Sequence, residues 1–142
     1  MIEGPLDLSA LIKASESFGQ SLEVLQRYGA SSNDVNLCRT LQAGVIQHFE
    51  FTYELCWKFM KRWLEHNLGR SEVEGVSRRA LFRLAHESRL IDGVDIWMTF
   101  HAARNQTSHT YEQATADEVL AVAQAFLPYV QNLLGRLQAN ND

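Results

Sequence analysis

Eight residues in the last third of the chain, RNQTSHTY from Arg104 to Tyr111, bring together side-chain types that can do chemistry. An arginine can clamp a phosphate with its planar guanidinium and stays charged at every relevant pH. A histidine, with an unperturbed pKa of about 6.5, can give and take a proton near neutrality. In RNA the ribose 2′-hydroxyl is an internal nucleophile, so Arg104 and His109 would suffice for cleavage without a metal.

The remaining polar residues of this segment have candidate roles as well. Asn105 can hold the scissile phosphate or its partner histidine, and Ser108 is a second candidate substrate-binding residue. Tyr111 offers a phenol that can hydrogen-bond a phosphate or accept a transferred group. A second interpretation is a polar helix end, where Arg and His favour the helix dipole and Ser, Thr and Asn satisfy unpaired carbonyls. On spacing alone this second interpretation is the stronger.

Helical geometry places a condition on the first interpretation. At about 100° per residue, Trp97, His101, Arg104 and Ser108 share one stripe of a helix. His109 would point about 140° away from Arg104 if the helix continued unbroken. The two side chains therefore converge only if the helix ends near Ser108 or if a second copy of the chain supplies the missing partner.

The elements that must position these residues are predicted to be helices. Apolar residues recur at steps of three and four along most of the chain, and no segment shows the alternation of a strand. The longest helix, over about 34–67, contains no Pro and one Gly and is expected to be the spine of the fold. The predicted helices are 7–28, 34–67, 78–90, one that begins near 92–95, and one that opens with TADE at Thr115.

Helix ends carry their own signals. Ser77 is expected to cap the third helix at its N-terminus. Thr115 and Glu118 have the spacing of a capping box and predict the start of the last helix. Pro128 lies inside that last helix, removes one backbone hydrogen bond, and is expected to kink or split it.

The predicted fold is therefore an all-α bundle of about five helices in a single domain over residues 1–142. An apolar surplus on one long helix is commonly resolved by dimerisation. On that helix Glu50 and Glu54 lie one turn apart, where contacts in an interface are one interpretation and an exposed acidic stripe is the more ordinary one.

Composition excludes several classes of protein. A formal net charge of −4 argues against coating nucleic acid by bulk electrostatics. No apolar run approaches the roughly 20 residues of a membrane span, and the N-terminus does not resemble a secretory signal, so a cytoplasmic protein is expected. Cys38 and Cys56, about 27 Å apart along one helix, cannot form a disulfide with each other. No phosphate loop, metal-ligand cluster or serine-nucleophile motif is present, so neither a cofactor nor a metal is expected.

Positive charge is distributed unevenly along the chain. Solvated helix faces and a basic patch that meets a polyanion or an acidic partner are both open interpretations of this cluster. Eight of the thirteen basic residues fall between positions 58 and 89: Lys58, Lys61, Arg62, Arg70, Arg78, Arg79, Arg83 and Arg89.

Three segments in a fixed order resemble a known family. RNQTSHTY resembles the Arg-x4-His-x-Tyr motif of HEPN-superfamily proteins of the HepT type, also described as nucleotidyltransferase substrate-binding subunits. HFEFTYELCWKFMK, from His48 to Lys61, is similar to that family's FE-x-x-YE-x-x-WK helix. The segment from Ser77 to Asn105 is similar to the part of the family that leads into its Arg-Asn pair. The resemblance covers about positions 8–135.

This resemblance implies an antiparallel bundle that forms a two-fold homodimer, with the motifs of both copies facing one cleft. It implies a separately encoded partner, a minimal nucleotidyltransferase of the polymerase-β type. In the toxin branch of the family, the Arg and His carry metal-independent RNase activity, and the partner attaches AMP to the Tyr and silences the toxin. By position these residues are Arg104, His109 and Tyr111, with Asn105 as the neighbouring polar residue.

Three functions are compatible with this resemblance. The first is a HepT-like ribonuclease in a toxin-antitoxin pair, and the second is a non-catalytic subunit that binds substrate or nucleotide and docks to the nucleotidyltransferase. The third is a structural dimer with a vestigial site. One departure from the family pattern is Arg89, which stands where relatives often have Gly, before the Leu-Ile pair.

Overall fold

The computed structural model describes residues 4–142, which form six α-helices and no strand. The all-α class predicted from the sequence is confirmed, and the extra helix is the four-residue α3. A π-helical turn, Leu25–Gly29, continues the first helix, and a 3-10 turn, Thr107–His109, separates the last two. The helices are α1 Ser9–Val24, α2 Val35–Leu68, α3 Arg70–Val73, α4 Arg78–Glu87, α5 Val94–Asn105 and α6 Gln113–Ala139.

The long helix α2 is the spine of the fold, as predicted, and packs against the other five helices. Its N-terminus is capped by Asp34, whose carboxylate accepts from the backbone N–H groups of Asn36 and Leu37 at 3.0 and 3.2 Å. It ends at Leu68 and is followed by Gly69, whose φ of +100° favours glycine. Because α2 touches every other helix, it is the element that brings distant side chains together.

A cluster of aromatic rings centred on Phe126 of α6 fills the core. Phe126 is fully buried, and its ring centroid lies 4.6 Å from that of Phe100 and 5.2 Å from that of Phe49. Aromatic pairs at such distances add to the stability given by burial alone. Through these contacts Phe126 joins α6 to three helices, with the rings of Phe18, Phe49, Tyr53, Trp97 and Phe100.

The first helix ends through side-chain contacts to its last carbonyls. α1 and the π-helical turn together extend to Gly29, close to the predicted end at 28. The Cys38 thiol donates to the carbonyl of Gly29 at 3.2 Å, and the Ser31 hydroxyl donates to the carbonyl of Arg27 at 3.1 Å. Cys38 and Cys56 are both free thiols, so the prediction that they do not bridge is confirmed.

Helix α4 begins as predicted and ends earlier than predicted. Ser77 caps it by accepting from the backbone N–H of Ala80 at 3.1 Å. It ends at Glu87 instead of Leu90, because Arg89 takes a left-handed conformation with φ +65°. Leu90, the last residue of the predicted helix, is fully buried in the turn and donates its backbone N–H to the carbonyl of Ala85 at 2.9 Å.

The prediction for the start of α6 is wrong. The helix begins at Gln113, and the Glu112 carbonyl accepts its first hydrogen bond from Ala116 at 3.0 Å. Thr115 therefore lies inside the first turn and cannot act as the cap of a box with Glu118. The signal was misleading because capping residues are also compatible with the first helical turn.

Pro128 is predicted to kink or split this helix, and the split is wrong because α6 runs from Gln113 to Ala139 without a break. Pro128 and Gln124 are both exposed. The Gln124 carbonyl, which loses its partner because proline has no N–H, therefore lies on the solvent side of the helix. Within the described residues, no helix has the length and apolar character needed to cross a membrane.

Candidate functional site

Helix α5 ends at Asn105, four residues before His109. Its last turn is closed by the Thr107 hydroxyl, which donates to the Arg104 carbonyl at 2.8 Å. The 3-10 turn follows, and the His109 N–H bonds the carbonyl of Gln106 at 3.0 Å. The unbroken helix that would have carried Arg104 and His109 on opposite faces is therefore absent, and the first of the two conditions set by helical geometry is met.

Arg104 is fixed by carboxylates of α2. Its Nε–H donates to Oε2 of Glu54 at 3.1 Å, and its Nη2 lies 3.8 Å from Oε1 of Glu50. The side chains of Arg104 and Glu54 are 30% and 29% exposed. Glu54 also accepts from the indole N–H of Trp57 at 3.2 Å. The expected exposed acidic stripe is therefore wrong, because these two carboxylates neutralise and orient the arginine of the motif.

A second polar group joins three helices beside Arg104. The Arg78 guanidinium donates through Nη1 to the Tyr53 hydroxyl at 2.9 Å, and its Cζ lies 3.8 Å from the centre of the Trp57 ring. The Tyr53 hydroxyl lies 2.9 Å from Nδ1 of His101, and Nη1 of Arg78 lies 3.3 Å from the same nitrogen. This group therefore connects Arg78 of α4, Tyr53 of α2 and His101 of α5.

The donors around His101 fix its tautomer. Arg78 can only donate, so the Tyr53 hydroxyl that accepts from it is free to donate to Nδ1 of His101. Nδ1 is then an acceptor, and the neutral ring carries its proton on Nε2. The Asn105 side-chain nitrogen Nδ2 lies 3.4 Å from Nε2. A proton on Nε2 requires the opposite orientation of this amide, with its oxygen as the acceptor, and amide orientations are assigned from such networks.

Burial and charge shift two pKa values in this group. The pKa of His101 lies below its usual 6.5, first because the ring is partly removed from solvent and second because of the positive charge of Arg78. Burial raises the pKa of Tyr53 to about 12, against the opposing effect of Arg78. Both residues are therefore neutral near pH 7, in agreement with the hydrogen bonds.

The remaining motif residues are on the surface. Asn105, Ser108 and His109 are exposed, and Tyr111 is 80% exposed. The rings of His109 and Tyr111 lie 6.4 Å apart, centroid to centroid, on the same turn. Within residues 4–142 no hydrogen bond joins Arg104 to His109. A single chain thus places His109 beside Tyr111 and Asn105 beside His101. The side chain of Arg104 instead faces α2.

Sequence reasoning missed two members of the site. Neither Tyr53 nor Arg78 is predicted as a site residue, although Tyr53 lies in the segment that resembles the family and Arg78 belongs to the basic cluster between 58 and 89. Tyr53 also falls in the same helical stripe as Glu50 and Trp57. That spacing is the signal that could have identified Tyr53. Arg78 has no comparable local signal, because its hydrogen-bond partners are 23 and 25 residues away.

Within the described residues, no group of three or more His, Cys, Asp and Glu side chains is arranged to hold a metal ion. A cavity of about 360 Å³ lies beside the site and is lined by Trp57, Lys61, Arg78 and His101 among others. A larger cavity of about 710 Å³, between the end of α1, the start of α2 and the middle of α6, contains none of the motif residues.

The all-α bundle places the chain in a class, the substrate-binding domains of nucleotidyltransferases. The family model described as "nucleotidyltransferase substrate binding protein like" matches residues 7–139, and the chain belongs to this family. The HepT-type resemblance seen in the sequence is thereby confirmed.

Individual relatives agree with this assignment. The chain is 33% identical over 143 residues to a probable ribonuclease HepT of Haemophilus influenzae, with 99% of this chain and 98% of that protein covered. A solved Haemophilus influenzae structure, described as the fold of a substrate binding domain of a nucleotidyltransferase, has a TM-score of 0.85 at 33% identity and covers 93% of this chain and 99% of that one. A solved Thermus thermophilus structure has a TM-score of 0.64 at 25% identity, covering 85% and 98%.

Proposed function

We propose that this chain is a HepT-like, metal-independent ribonuclease and the toxin partner of a separately encoded minimal nucleotidyltransferase of the polymerase-β type. The observation that carries the proposal is the end of α5 at Asn105. Because the helix stops there, the exposed His109 follows the fixed Arg104 on a turn that a nucleic acid can reach. The similarity to a probable ribonuclease HepT supports the same activity.

In the proposed reaction, His109 accepts the proton of the ribose 2′-hydroxyl as that oxygen attacks the adjacent phosphorus. Arg104 faces the negative charge that develops on the phosphorane. The bond from phosphorus to the 5′-oxygen breaks, and the leaving oxygen takes a proton from an acid. The products are a 2′,3′-cyclic phosphate and a free 5′-hydroxyl. Asn105 and Ser108, both exposed at the same helix end, bind the substrate beside these two groups.

We propose that a homodimer supplies this acid. In a two-fold pair that shares one cleft, His109 of one copy acts as the base and His109 of the second copy acts as the acid. Phe51 is 60% exposed on α2, the helix that also carries Glu50 and Glu54. We propose that the second copy packs on the face of α2 that carries this aromatic side chain.

Tyr111 is proposed as the position at which the partner enzyme silences the toxin. Its 80% exposure makes the phenol accessible to another enzyme. The phenol oxygen attacks the α-phosphorus of ATP, pyrophosphate leaves, and the phenol proton passes to the partner enzyme or to solvent. The added AMP places a negative phosphate next to His109, where it competes with RNA for Arg104 and His109.

A second candidate, a non-catalytic subunit that binds substrate or nucleotide and docks to the nucleotidyltransferase, is favoured by one observation. Arg104 is already bound by Glu54 and lies near Glu50, so a substrate phosphate has to compete with two carboxylates. A chain that only presents substrate does not need a free arginine. The two candidates differ in whether RNA is turned over.

The decisive experiment incubates the purified chain with RNA in the presence of a chelator. Wild type is compared with Arg104→Ala and His109→Ala, and with His66→Ala as a control that removes an exposed histidine from α2. We expect wild type and the control to give fragments with 2′,3′-cyclic phosphate ends. We expect Arg104→Ala and His109→Ala each to lower the rate of RNA cleavage at least about 100-fold. RNA left equally intact by wild type and by both motif variants would exclude the ribonuclease and leave the binding subunit.

A separate experiment tests the modification. The purified chain is incubated with the nucleotidyltransferase encoded beside it and ATP, and the products are analysed by mass spectrometry. Wild type is expected to gain the mass of one AMP at Tyr111, and Tyr111→Phe is expected to gain none. Tyr28→Phe is the matched control, because Tyr28 is also exposed, at 52%. AMP on another residue, with Tyr111 unmodified, would contradict this role.

A further inference from the structure

The cavity of about 360 Å³ beside the motif has a positive lining. Lys61 of α2 and Arg78 of α4 are two of its walls, and Trp57 and His101 lie between them. No Asp or Glu is among the residues that line it. The lining of this cavity is therefore positively charged, although the protein as a whole has a net charge of −4.

Arg78 is held in position without a carboxylate. Within the described residues, none of its nitrogens lies within ion-pair distance of an acidic group, whereas Arg79 and Arg136 each have one acidic partner and Arg104 has two. Only Nη1 is used, for the Tyr53 hydroxyl and Nδ1 of His101. Nε and Nη2 make no hydrogen bond among residues 4–142.

This arrangement has an energetic consequence. A half-buried cation is costly unless an anion or hydrogen-bond partners compensate for lost water. Stacking on Trp57, at 3.8 Å, and the bond to Tyr53 fix the guanidinium before any ligand arrives. A preorganised arginine with two unused donor nitrogens and a nearby lysine matches a group that has several anionic oxygens.

We propose that this cavity binds a phosphate group, with Arg78 as the fork-shaped donor and Lys61 as the second charge. The proposal rests on the proposed function, because its two sources of phosphate are the backbone of an RNA strand and a free nucleotide used by the partner enzyme. Two residues that line the cavity, Trp57 and His101, connect it with the motif. His101 lies one turn before Asn105 on α5, and Glu54 hydrogen-bonds both Trp57 and Arg104.

Binding is tested on the full chain with three probes: a fluorescent 2′-O-methyl RNA oligonucleotide, which cannot be cleaved because its 2′-oxygen is blocked, ATP, and inorganic phosphate. The variants are Arg78→Gln and Lys61→Gln. Arg83→Gln is the matched control, because it removes the same charge from an exposed position of α4 outside the cavity.

For the probe that uses the cavity, we expect Arg78→Gln to weaken binding about tenfold and Lys61→Gln about threefold, with Arg83→Gln unchanged. For the oligonucleotide, the slope of log affinity against log salt is expected to fall by about 0.7 for each phosphate contact removed. If the variants lose affinity only for the oligonucleotide, the phosphate bound in the cavity comes from RNA. If they lose affinity only for ATP or inorganic phosphate, it comes from the nucleotide. Lys61→Gln retains every hydrogen bond described around Arg78, so it tests the cavity even if Arg78→Gln unfolds.

Two results would overturn the proposal. One is wild-type protein that binds none of the three probes, and the other is Lys61→Gln binding all of them as tightly as Arg83→Gln does. Cleavage is measured separately with His109→Ala. If Lys61→Gln weakens binding but the wild type does not cleave RNA, the phosphate site stands and the ribonuclease is excluded. If the wild type cleaves RNA but Lys61→Gln binds normally, only the phosphate site is excluded.

Discussion

Arg104 of α5 donates its Nε–H to Oε2 of Glu54 of α2 over 3.1 Å, across 50 residues of sequence. The arginine of the motif is therefore oriented by a different helix from the one that carries it. Glu54 in turn accepts from Trp57, on which Arg78 stacks. One carboxylate connects the motif arginine with the second arginine of the site.

The first prediction concerns the two carboxylates that face Arg104. We expect Glu54→Ala to lower the free energy of unfolding by about 1 kcal/mol, because a charge-assisted hydrogen bond is lost in a partly screened place. Glu50→Ala should cost less than about 0.5 kcal/mol, because its contact at 3.8 Å is longer and its side chain more exposed. Urea unfolding of both variants is the measurement, and equal losses would contradict the assigned roles.

The second prediction concerns pH. The folded state holds the pKa of His101 below 6.5, so just below that pH the unfolded chain binds more protons than the folded chain. The free energy of unfolding should therefore fall as pH is lowered through this window. We expect His101→Gln to lessen the fall and His86→Gln, at an exposed position of α4, to leave it unchanged. Urea unfolding between pH 7.5 and about 5.5 tests this, and identical profiles for all three proteins would refute it.

The third prediction concerns the turn after α4. Arg89 has φ +65°, a conformation that costs a residue with a side chain about 1 kcal/mol. Arg89→Gly should stabilise the chain by up to about 1 kcal/mol, less the entropy that glycine adds to the unfolded state. The bond from Arg136 to the Arg89 carbonyl is retained because it involves the backbone.

The measurement for this turn is the midpoint of thermal or urea unfolding. Arg83→Gly is the control, because the same change inside α4 should destabilise by about 1 kcal/mol. A loss of stability in Arg89→Gly as large as that in the control would show that the left-handed residue is not strained.

The fourth prediction concerns Pro128. Pro128→Ala restores the N–H that the carbonyl of Gln124 lacks and should stabilise the chain by about 1 to 3 kcal/mol. Ala121→Pro, at another exposed position inside α6, should destabilise by about 3 kcal/mol or more. Calorimetry of the two variants checks both signs, and a destabilised Pro128→Ala would mean that the proline has a packing role.

Local sequence patterns are sufficient to predict the positions of most of the helices. The bounds of α2, predicted as 34–67 and observed as Val35–Leu68, follow from apolar spacing that depends only on residues a turn or two apart. The cap at Ser77 is confirmed for the same reason. Errors arose where a local signal competed with packing. Leu90 was counted as helix, yet it is buried in a turn, and Thr115 was counted as a cap, yet it lies inside α6.

The sequence by itself determined the all-α class, the family, and the motif residues Arg104, His109 and Tyr111 as candidates. It also limited the geometry, because Arg104 and His109 cannot meet on one continuous helix. Only the tertiary structure decided that α5 ends at Asn105, that Glu54 holds Arg104, and that Arg78 joins the site without a carboxylate. The physical reason is the distance along the sequence. A helix depends on neighbours a few positions away, whereas these partners lie 23 to 50 residues apart and meet only when α2, α4 and α5 pack.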